Sequence, residues 1–425
     1  MKHSIILLLI SVSLFSCVRN SDDNKKSINI YTTSLVDSLK IELNEYAKNT
    51  SLPGFAVGLV SQDSIIYSDG FGFFDIENKK QYDNKTIQPI GSISKTFVGV
   101  ALMKLVDLGK LDLEEPINDI FPYEIKNPNY PNEPILVKHL ATHTSSIDDF
   151  DEGDNDSEHW LLEDIPYKKG EVTDDLYLRL EYFKKGKERS IEEAIKNAVT
   201  PEGIWYSENN FTNEKPGAKV VYSNLATTIA ARVIELRSEM PFNDFTKKYI
   251  FEPLQMNDTY WFYKDIPNTK PISIHYYNEK NEGNVNSLLI PKFEDCTYPS
   301  SRLKLSIDNM SLYLVEMIHG FNGQGTIISK DAYKVLFKGS LTPENHFEEE
   351  SKHWLNDSYD YGIFWARSYP GYVLHKGGID GVYALIYYNP DTKLGVTAMT
   401  NAQDEDFGGV IEIVRKYEKK IGASR

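Results

Sequence analysis

The sequence predicts a mixed α/β (α+β) fold: an antiparallel sheet made from both ends of the chain, flanked by helices, with a large, mostly helical lobe inserted between them. Three observations predict it. Strand patterns sit near both ends, at 54–60 and 65–73 and again at 372–375, 382–388 and 394–400. The stretch between, 92–355, reads as helices and loops. Finally, 425 residues at 41% hydrophobic content can bury a large core, in one two-lobed domain or two domains. The expected boundaries are an α/β lobe over about 33–90 and 356–425, and a helical lobe over about 91–355.

The chain begins with Met1-Lys2-His3, an apolar run over 5–10, and then Leu14-Phe15-Ser16-Cys17. A basic start and a short apolar run describe an export signal, too short for a comfortable membrane span. Leu14–Cys17 resembles a bacterial lipobox. That resemblance implies a signal peptide over 1–16, lipidation at Cys17, and a cell-envelope lipoprotein facing the periplasm or the outer-membrane surface. Residues 17–32 are polar and are expected to form a flexible tether. The chain has two cysteines, so with Cys17 acylated Cys296 has no cysteine to pair with, and no disulfide is expected.

The elements follow in order. Leu35, Leu39, Leu43 and Tyr46 recur at helical spacing over 33–48. The strands at 54–60 and 65–73 form a hairpin around Ser61-Gln-Asp-Ser64. The region 149–164 is strongly acidic and is expected to be a surface loop, 174–199 to be one or two helices, and 225–235 to be a helix. Asn389-Pro-Asp-Thr392 joins the last two strands by a turn whose proline presets the bend. A closing helix covers 409–421. A net charge of −16 lacks the basic footprint of a nucleic-acid binder.

Chemistry concentrates at Gly91-Ser-Ile-Ser-Lys-Thr-Phe97. Ser92 stands where a helix begins, and serine is a good N-cap. The helix that follows is apolar on nearly every side, which buries it, and Lys95 lies in its first turn. Burial and the positive helix end both disfavour a charged lysine there. Two readings stand: Ser92 caps while Lys95 snorkels to water, or a neutral Lys95 takes the proton of a nucleophilic Ser92 three residues away. The pattern alone does not choose, since Ser301-Arg-Leu-Lys304 matches it too. Tyr222-Ser-Asn224 offers a phenol and an amide at another helix start. His375-Lys-Gly-Gly378 ends a strand in glycines, where a substrate can lie against the strand edge and a free N–H can face an oxyanion.

In this order and context the motifs resemble the penicillin-recognising serine hydrolases, in the branch of class C β-lactamases, D-Ala-D-Ala carboxypeptidases and related esterases. Further segments carry the likeness: Gly109-Lys-Leu-Asp-Leu-Glu-Glu-Pro116, His139-Leu-Ala-Thr-His-Thr-Ser145, Lys215-Pro-Gly217 and Phe251-Glu-Pro-Leu-Gln-Met256. The resemblance implies a β-lactamase/transpeptidase-like fold and a serine hydrolase working through an acyl-enzyme on amide or ester bonds. It implies Ser92 as nucleophile and Lys95 with Tyr222 as a coupled proton-transfer pair. Asn224, His375, Gly377 and Gly378 would bind substrate, with the N–H groups of Ser92 and Gly378 as oxyanion hole. Expected substrates are D-amino-acid peptides, β-lactams or small esters, with no metal, cofactor or nucleic acid; the sequence leaves the oligomeric state open. His375 replaces the lysine usual in β-lactamases of this branch, which favours peptidase or esterase activity over β-lactam turnover. Ser146 and Ser301 replace usual glycines, and Lys376 adds a charge at the cleft. His139 and His143 have the i, i+4 spacing of a zinc pair, but Leu140 stands where the metalloprotease motif needs Glu. Two other readings are a true class C β-lactamase and a non-catalytic envelope binding protein.

Overall fold

The computed structural model describes residues 21–150, 156–281, 284–340, 360–368 and 371–424. The chain enters on helix α1 (Ser21–Ala47), then strands β1 (Gly54–Ser61), β2 (Ile65–Asp75), β3 (Lys80–Gln81) and β4 (Gln88–Pro89). The inserted lobe runs through α2 (Ser94–Asp107), α3 (Val137–Ala141), β5 (His159–Leu161), α4 (Asp174–Phe183), α5 (Ile191–Val199), α6 (Asn224–Ser238) and α7 (Phe242–Thr246). It continues through β6 (Thr259–Tyr260), β7 (His275–Asn281), β8 (Asn284–Ile290), β9 (Phe293–Asp295), β10 (Lys304–Leu305), α8 (Ile307–Phe321) and α9 (Lys330–Leu336). The chain returns to the sheet in β11 (Ala366–Arg367), β12 (Val373–Ile379), β13 (Val382–Asn389) and β14 (Leu394–Thr400), and closes on α10 (Phe407–Ala423).

The two ends of the chain build one seven-stranded sheet, ordered β11-β12-β13-β14-β1-β2-β3. They meet at its centre, where β1 pairs antiparallel with β14 from Phe55↔Thr400 to Ser61↔Leu394. Successive side chains on a strand point to opposite faces, and here both faces are apolar. Phe55, Val57, Leu59, Leu385, Tyr387, Val396 and Ala398 pack with Leu39 and Leu43 of α1 and Val410, Ile411 and Val414 of α10. Ala56, Val60, Ala384, Ile386 and Met399 face the larger core with Met310, Leu314 and Ile318 of α8. The sheet is therefore the middle layer of three, which makes β12, inside only the two-residue edge strand β11, a rigid rail for whatever lies against it.

Three expectations need correction. Residues 21–32, expected within the tether over 17–32, are helical in α1; no proline or glycine interrupts them, and lengthening a helix costs less than starting one. The inserted lobe carries a β7–β8 hairpin and a small β4-β10-β6 sheet beside its helices. The acidic stretch is not only surface loop: within it β5 pairs with β9, from His159↔Asp295 to Leu161↔Phe293. Cys17 and the signal segment lie outside the described residues.

Candidate active site

Gly91 has φ +54°, a left-handed conformation that glycine adopts without strain. It opens a 3₁₀ turn, Gly91–Ile93, that leads into α2. Ser92 is in the middle of this turn and caps nothing: neither Ile90 nor Ile93, the two cap positions, makes a side-chain cap bond. Ser94 holds the turn instead, donating to Gly91 O at 2.7 Å and accepting Leu303 N–H at 3.1 Å. Ile90 N–H donates to Leu303 O at 3.0 Å. The Ser92 hydroxyl is thus available for chemistry, with its backbone stapled from both sides.

Helix α2 is buried from Ser94 through Met103, as its all-round apolar character predicts. Lys95 is 0% exposed. Its Nζ donates to Asn224 Oδ1 at 2.6 Å and to Ser300 O at 2.9 Å, and lies 3.2 Å from Ser92 Oγ. Burial lowers its pKa from 10.5 to about 7, against the opposing pull of Asp149, Asp295 and Glu158. The three contacts suit either protonation state, since an ammonium can donate to all three oxygens, Ser92 Oγ included. Both carbonyl oxygens can only accept, so they take two N–H hydrogens. A neutral amine has two, and its lone pair is then left facing the hydroxyl of Ser92.

Tyr222 and Asn224 flank the start of α6. Lys95 Nζ is 4.7 Å from the centre of the Tyr222 ring, which is 37% exposed and borders the cleft. The buried ring of His143 lies 4.5 Å from the Tyr222 ring, centre to centre. His143 Nδ1 accepts Ser223 N–H at 3.2 Å, so its proton belongs on Nε2. Burial, Lys95 and His375 hold its pKa well below the ordinary range. His139 Nδ1 likewise accepts Leu136 N–H at 3.2 Å, so each histidine of the zinc-like spacing is engaged with backbone.

Strand β12 closes the site. Its ladder with β11 covers Val373 and Leu374, whereas its ladder with β13 runs from Val373 to Ile379. Gly377 must be glycine: a methyl there would be 1.9 Å from Ile90 O. A methyl on Gly91 would be 2.4 Å from Gly378 N, so that N–H sits against the turn that carries Ser92. His375 is 1% exposed; its Nδ1 is 2.6 Å from Lys376 O, which calls for a proton on that nitrogen, and its ring centre is 6.4 Å from that of Tyr222. A cleft of about 540 Å³ passes from Ser92 and Tyr222 over Gly377 and Gly378 to Tyr383, Phe407 and Ile411, with Lys376 on its wall. A larger hollow of about 760 Å³ lies elsewhere, between Leu161 and Gly186, and none of these residues lines it.

The fold therefore gathers Ser92, Lys95, Tyr222, Asn224, His375, Gly377 and Gly378 in one place, from three segments of the chain. The second Ser-x-x-Lys does not join them. Lys304 is fully buried in β10 and donates to Glu294 Oε2 at 2.7 Å and to the carbonyls of Trp261 and Arg302. Ser146, in place of a glycine, keeps a left-handed φ of +62°, with Asn127 Nδ2 donating to its hydroxyl. Two residues that sequence reasoning assigned no role stand close to the chemistry: His143, behind Tyr222, and Asp149, bonded to Asn224.

Comparison with known proteins identifies the family and the fold. The family model described as Beta-lactamase matches residues 42–417. Protein flp of Staphylococcus aureus (strain MW2) is 22% identical over 362 residues, 85% of this chain and 62% of that protein, so the chain spans less than two thirds of that relative. The Serine beta-lactamase-like protein LACTB, mitochondrial, of Mus musculus is 24% identical over 417 residues, 84% of this chain and 73% of that protein. Among solved structures, the octameric penicillin-binding protein homologue from Pyrococcus abyssi superposes with a TM-score of 0.67 at 24% identity, covering 87% of this chain and 74% of its own. D-amino acid amidase from Ochrobactrum anthropi SV3 superposes with a TM-score of 0.64 at 19% identity, covering 94% of this chain and 99% of its own. At these identities the structural likeness speaks for the fold.

Proposed function

This chain belongs to the beta-lactamase family, and we propose that within it the protein is a serine hydrolase that forms an acyl-enzyme on Ser92. The observation that carries the reading is a fully buried Lys95 whose Nζ is 3.2 Å from Ser92 Oγ, with two carbonyl acceptors that, once the amine is neutral, leave its lone pair toward that hydroxyl. In the first step Lys95 takes the hydroxyl proton as Oγ attacks the substrate carbonyl carbon. The N–H groups of Ser92 and Gly378 receive the developing oxyanion. The C–N or C–O bond then breaks, and the leaving group takes a proton through Tyr222, which is recharged from Lys95. Water repeats the sequence on the acyl-enzyme, and the acid leaves.

The substrate side of the proposal is D-Ala peptidase- or esterase-type hydrolysis of peptidoglycan-type peptides or small esters. Its support is a cleft whose far end is apolar at Tyr383, Phe407 and Ile411; His375 is buried behind it, and the cation on its wall is that of Lys376. A steady-state panel of D-Ala-D-Ala peptides, nitrocefin and p-nitrophenyl esters tests this. Turnover of a peptide or ester above nitrocefin, lost in Ser92→Ala, is the expected result. Undiminished hydrolysis in Ser92→Ala would sink the acyl-enzyme, and nitrocefin as best substrate would make the protein a class C-like β-lactamase. Anchoring through lipidated Cys17 belongs to the same proposal. Intact mass of the membrane-extracted protein should show acyl chains on a chain beginning at Cys17.

A further inference from the structure

Asp149 takes part in none of these steps, yet it touches the site at four points. Its Oδ1 accepts from Asn224 N–H at 2.6 Å, Leu225 N–H at 3.0 Å and the Ser223 hydroxyl at 3.3 Å. Its Oδ2 accepts from Asn224 Nδ2 at 2.7 Å. The first three contacts tie the acidic segment to the start of α6. The fourth differs in kind, because it determines which way round a site side chain lies. An amide can turn either end toward a lysine. A carboxylate only accepts, so Asn224 must give it the NH₂ end, and the carbonyl end remains for Lys95 Nζ, 2.6 Å away. Reversed, the amide would set donor against donor at Lys95. The lysine would then lose one of the two acceptors that aim its lone pair at Ser92.

We propose that Asp149 is a positioning residue: through Asn224 it holds an amide carbonyl on Lys95 and so keeps the lysine's lone pair on Ser92. This rests on the acyl-enzyme reading above and adds to it a residue that touches neither substrate nor nucleophile. The groups that bear on Lys95 are Asp149 after α3, Glu158 before β5 and Asp295 in β9 among the acids. His143, after α3, is the other titratable group coupled to it, itself neighboured by His375 on β12, and the Tyr222 ring lies over the amine.

Asp149→Asn separates positioning from scaffolding. Its carbonyl can still accept the backbone N–H groups, since Asn caps as well as Asp, but its new NH₂ confronts the NH₂ of Asn224. The expected result is a thermal midpoint within a few degrees of the parent and about a 10²-fold fall in the rate at which a fluorophosphonate labels Ser92. Adding Asn224→Asp restores the match, because a carboxylate at 224 accepts from both the amide at 149 and Lys95. The double variant should recover at least about tenfold of the loss and move the acid limb of the pH–rate profile to higher pH, as the anion now adjoins the lysine. If Asp149→Asn does not fold, Asp149→Ser, which also caps but offers no carboxylate, carries the same expectation for labelling. Parental labelling in the folded single variant, or a double variant that neither recovers nor shifts the limb, overturns the proposal while leaving the acyl-enzyme intact. A parent chain that is never labelled overturns both.

Discussion

Acylation of Ser92 should follow the protonation of Lys95, with an acid limb centred near pH 7. Burial lowers the pKa of this lysine from 10.5 to about 7. At pH 7 an ordinary lysine is neutral in only about 3 molecules in 10⁴, whereas here about half are neutral, roughly a 10³-fold gain in competent base. The assay is kcat/KM for a p-nitrophenyl ester from pH 5 to 10. The expected profile falls about tenfold per unit below the limb and flattens above it. His143 contributes no such limb, because its pKa is held well below this range; His375→Asn should keep the limb and so exclude the other neighbouring imidazole. Lys95→Arg keeps the charge but cannot release a proton, and should lose at least about 10³-fold. The shift also has a stability counterpart of about 5 kcal/mol. The folded pKa lies below the unfolded one, so between pH 7 and 10.5 the unfolded chain binds more protons and stability rises with pH; below pH 7 the full cost is present. Lys95→Met should therefore gain several kcal/mol more, relative to the parent, at pH 6 than at pH 10. The carbonyls of Asn224 and Ser300, left without their donor, cost the same at both pH values and drop out of that difference. A limb at pH 9 or above, or parental rates in Lys95→Arg, would refute the reasoning.

Gly377→Ala should cut Ser92 labelling by at least about 10²-fold, because its methyl meets Ile90 O at 1.9 Å and pushes the strand off the nucleophile turn. Gly378→Ala, whose methyl meets nothing nearer than the Tyr383 ring at 3.4 Å, is the control and should lose far less. Tyr222→Phe keeps the ring against His143 but removes the phenol, and should lower kcat on amide substrates by about 10²–10⁴-fold; unchanged kcat would remove Tyr222 from proton transfer. Lys304→Met takes from buried Glu294 the nearer of its two cations, leaving Arg302 at 3.8 Å, and should cost about 3 kcal/mol in urea unfolding. Its folded fraction should still label at Ser92 within a few-fold of the parent, unlike any variant of Lys95.

What could be read from the sequence follows from how local each signal is. The strand patterns at the two ends predicted one antiparallel sheet built from both, since they are short and apolar; that β1 pairs with β14 at its centre is seen only in the structure. The apolar run behind Lys95 showed that the lysine would be buried. That Ser92 caps nothing was not legible, because whether the helix begins at 92 or at 94 depends on the φ of Gly91 and on Leu303, more than two hundred residues away. Asp149 was hidden in an acidic run whose composition reads as solvated surface; its role exists only through contact with Asn224, 75 residues later. His143 carried a motif signal but no chemical one, since its work is to pack against Tyr222. Strands β7 and β8 escaped because segments such as His275–Asn281 are too polar to alternate.

Peptide mapping of the trapped enzyme tests the central claim most directly. After incubation with a fluorophosphonate or a fluorescent penicillin, the protein should gain the mass of one adduct, carried by the peptide containing Gly91-Ser-Ile-Ser-Lys95, and Ser92→Ala should gain none. An adduct on another residue, or the same adduct in Ser92→Ala, would contradict the account.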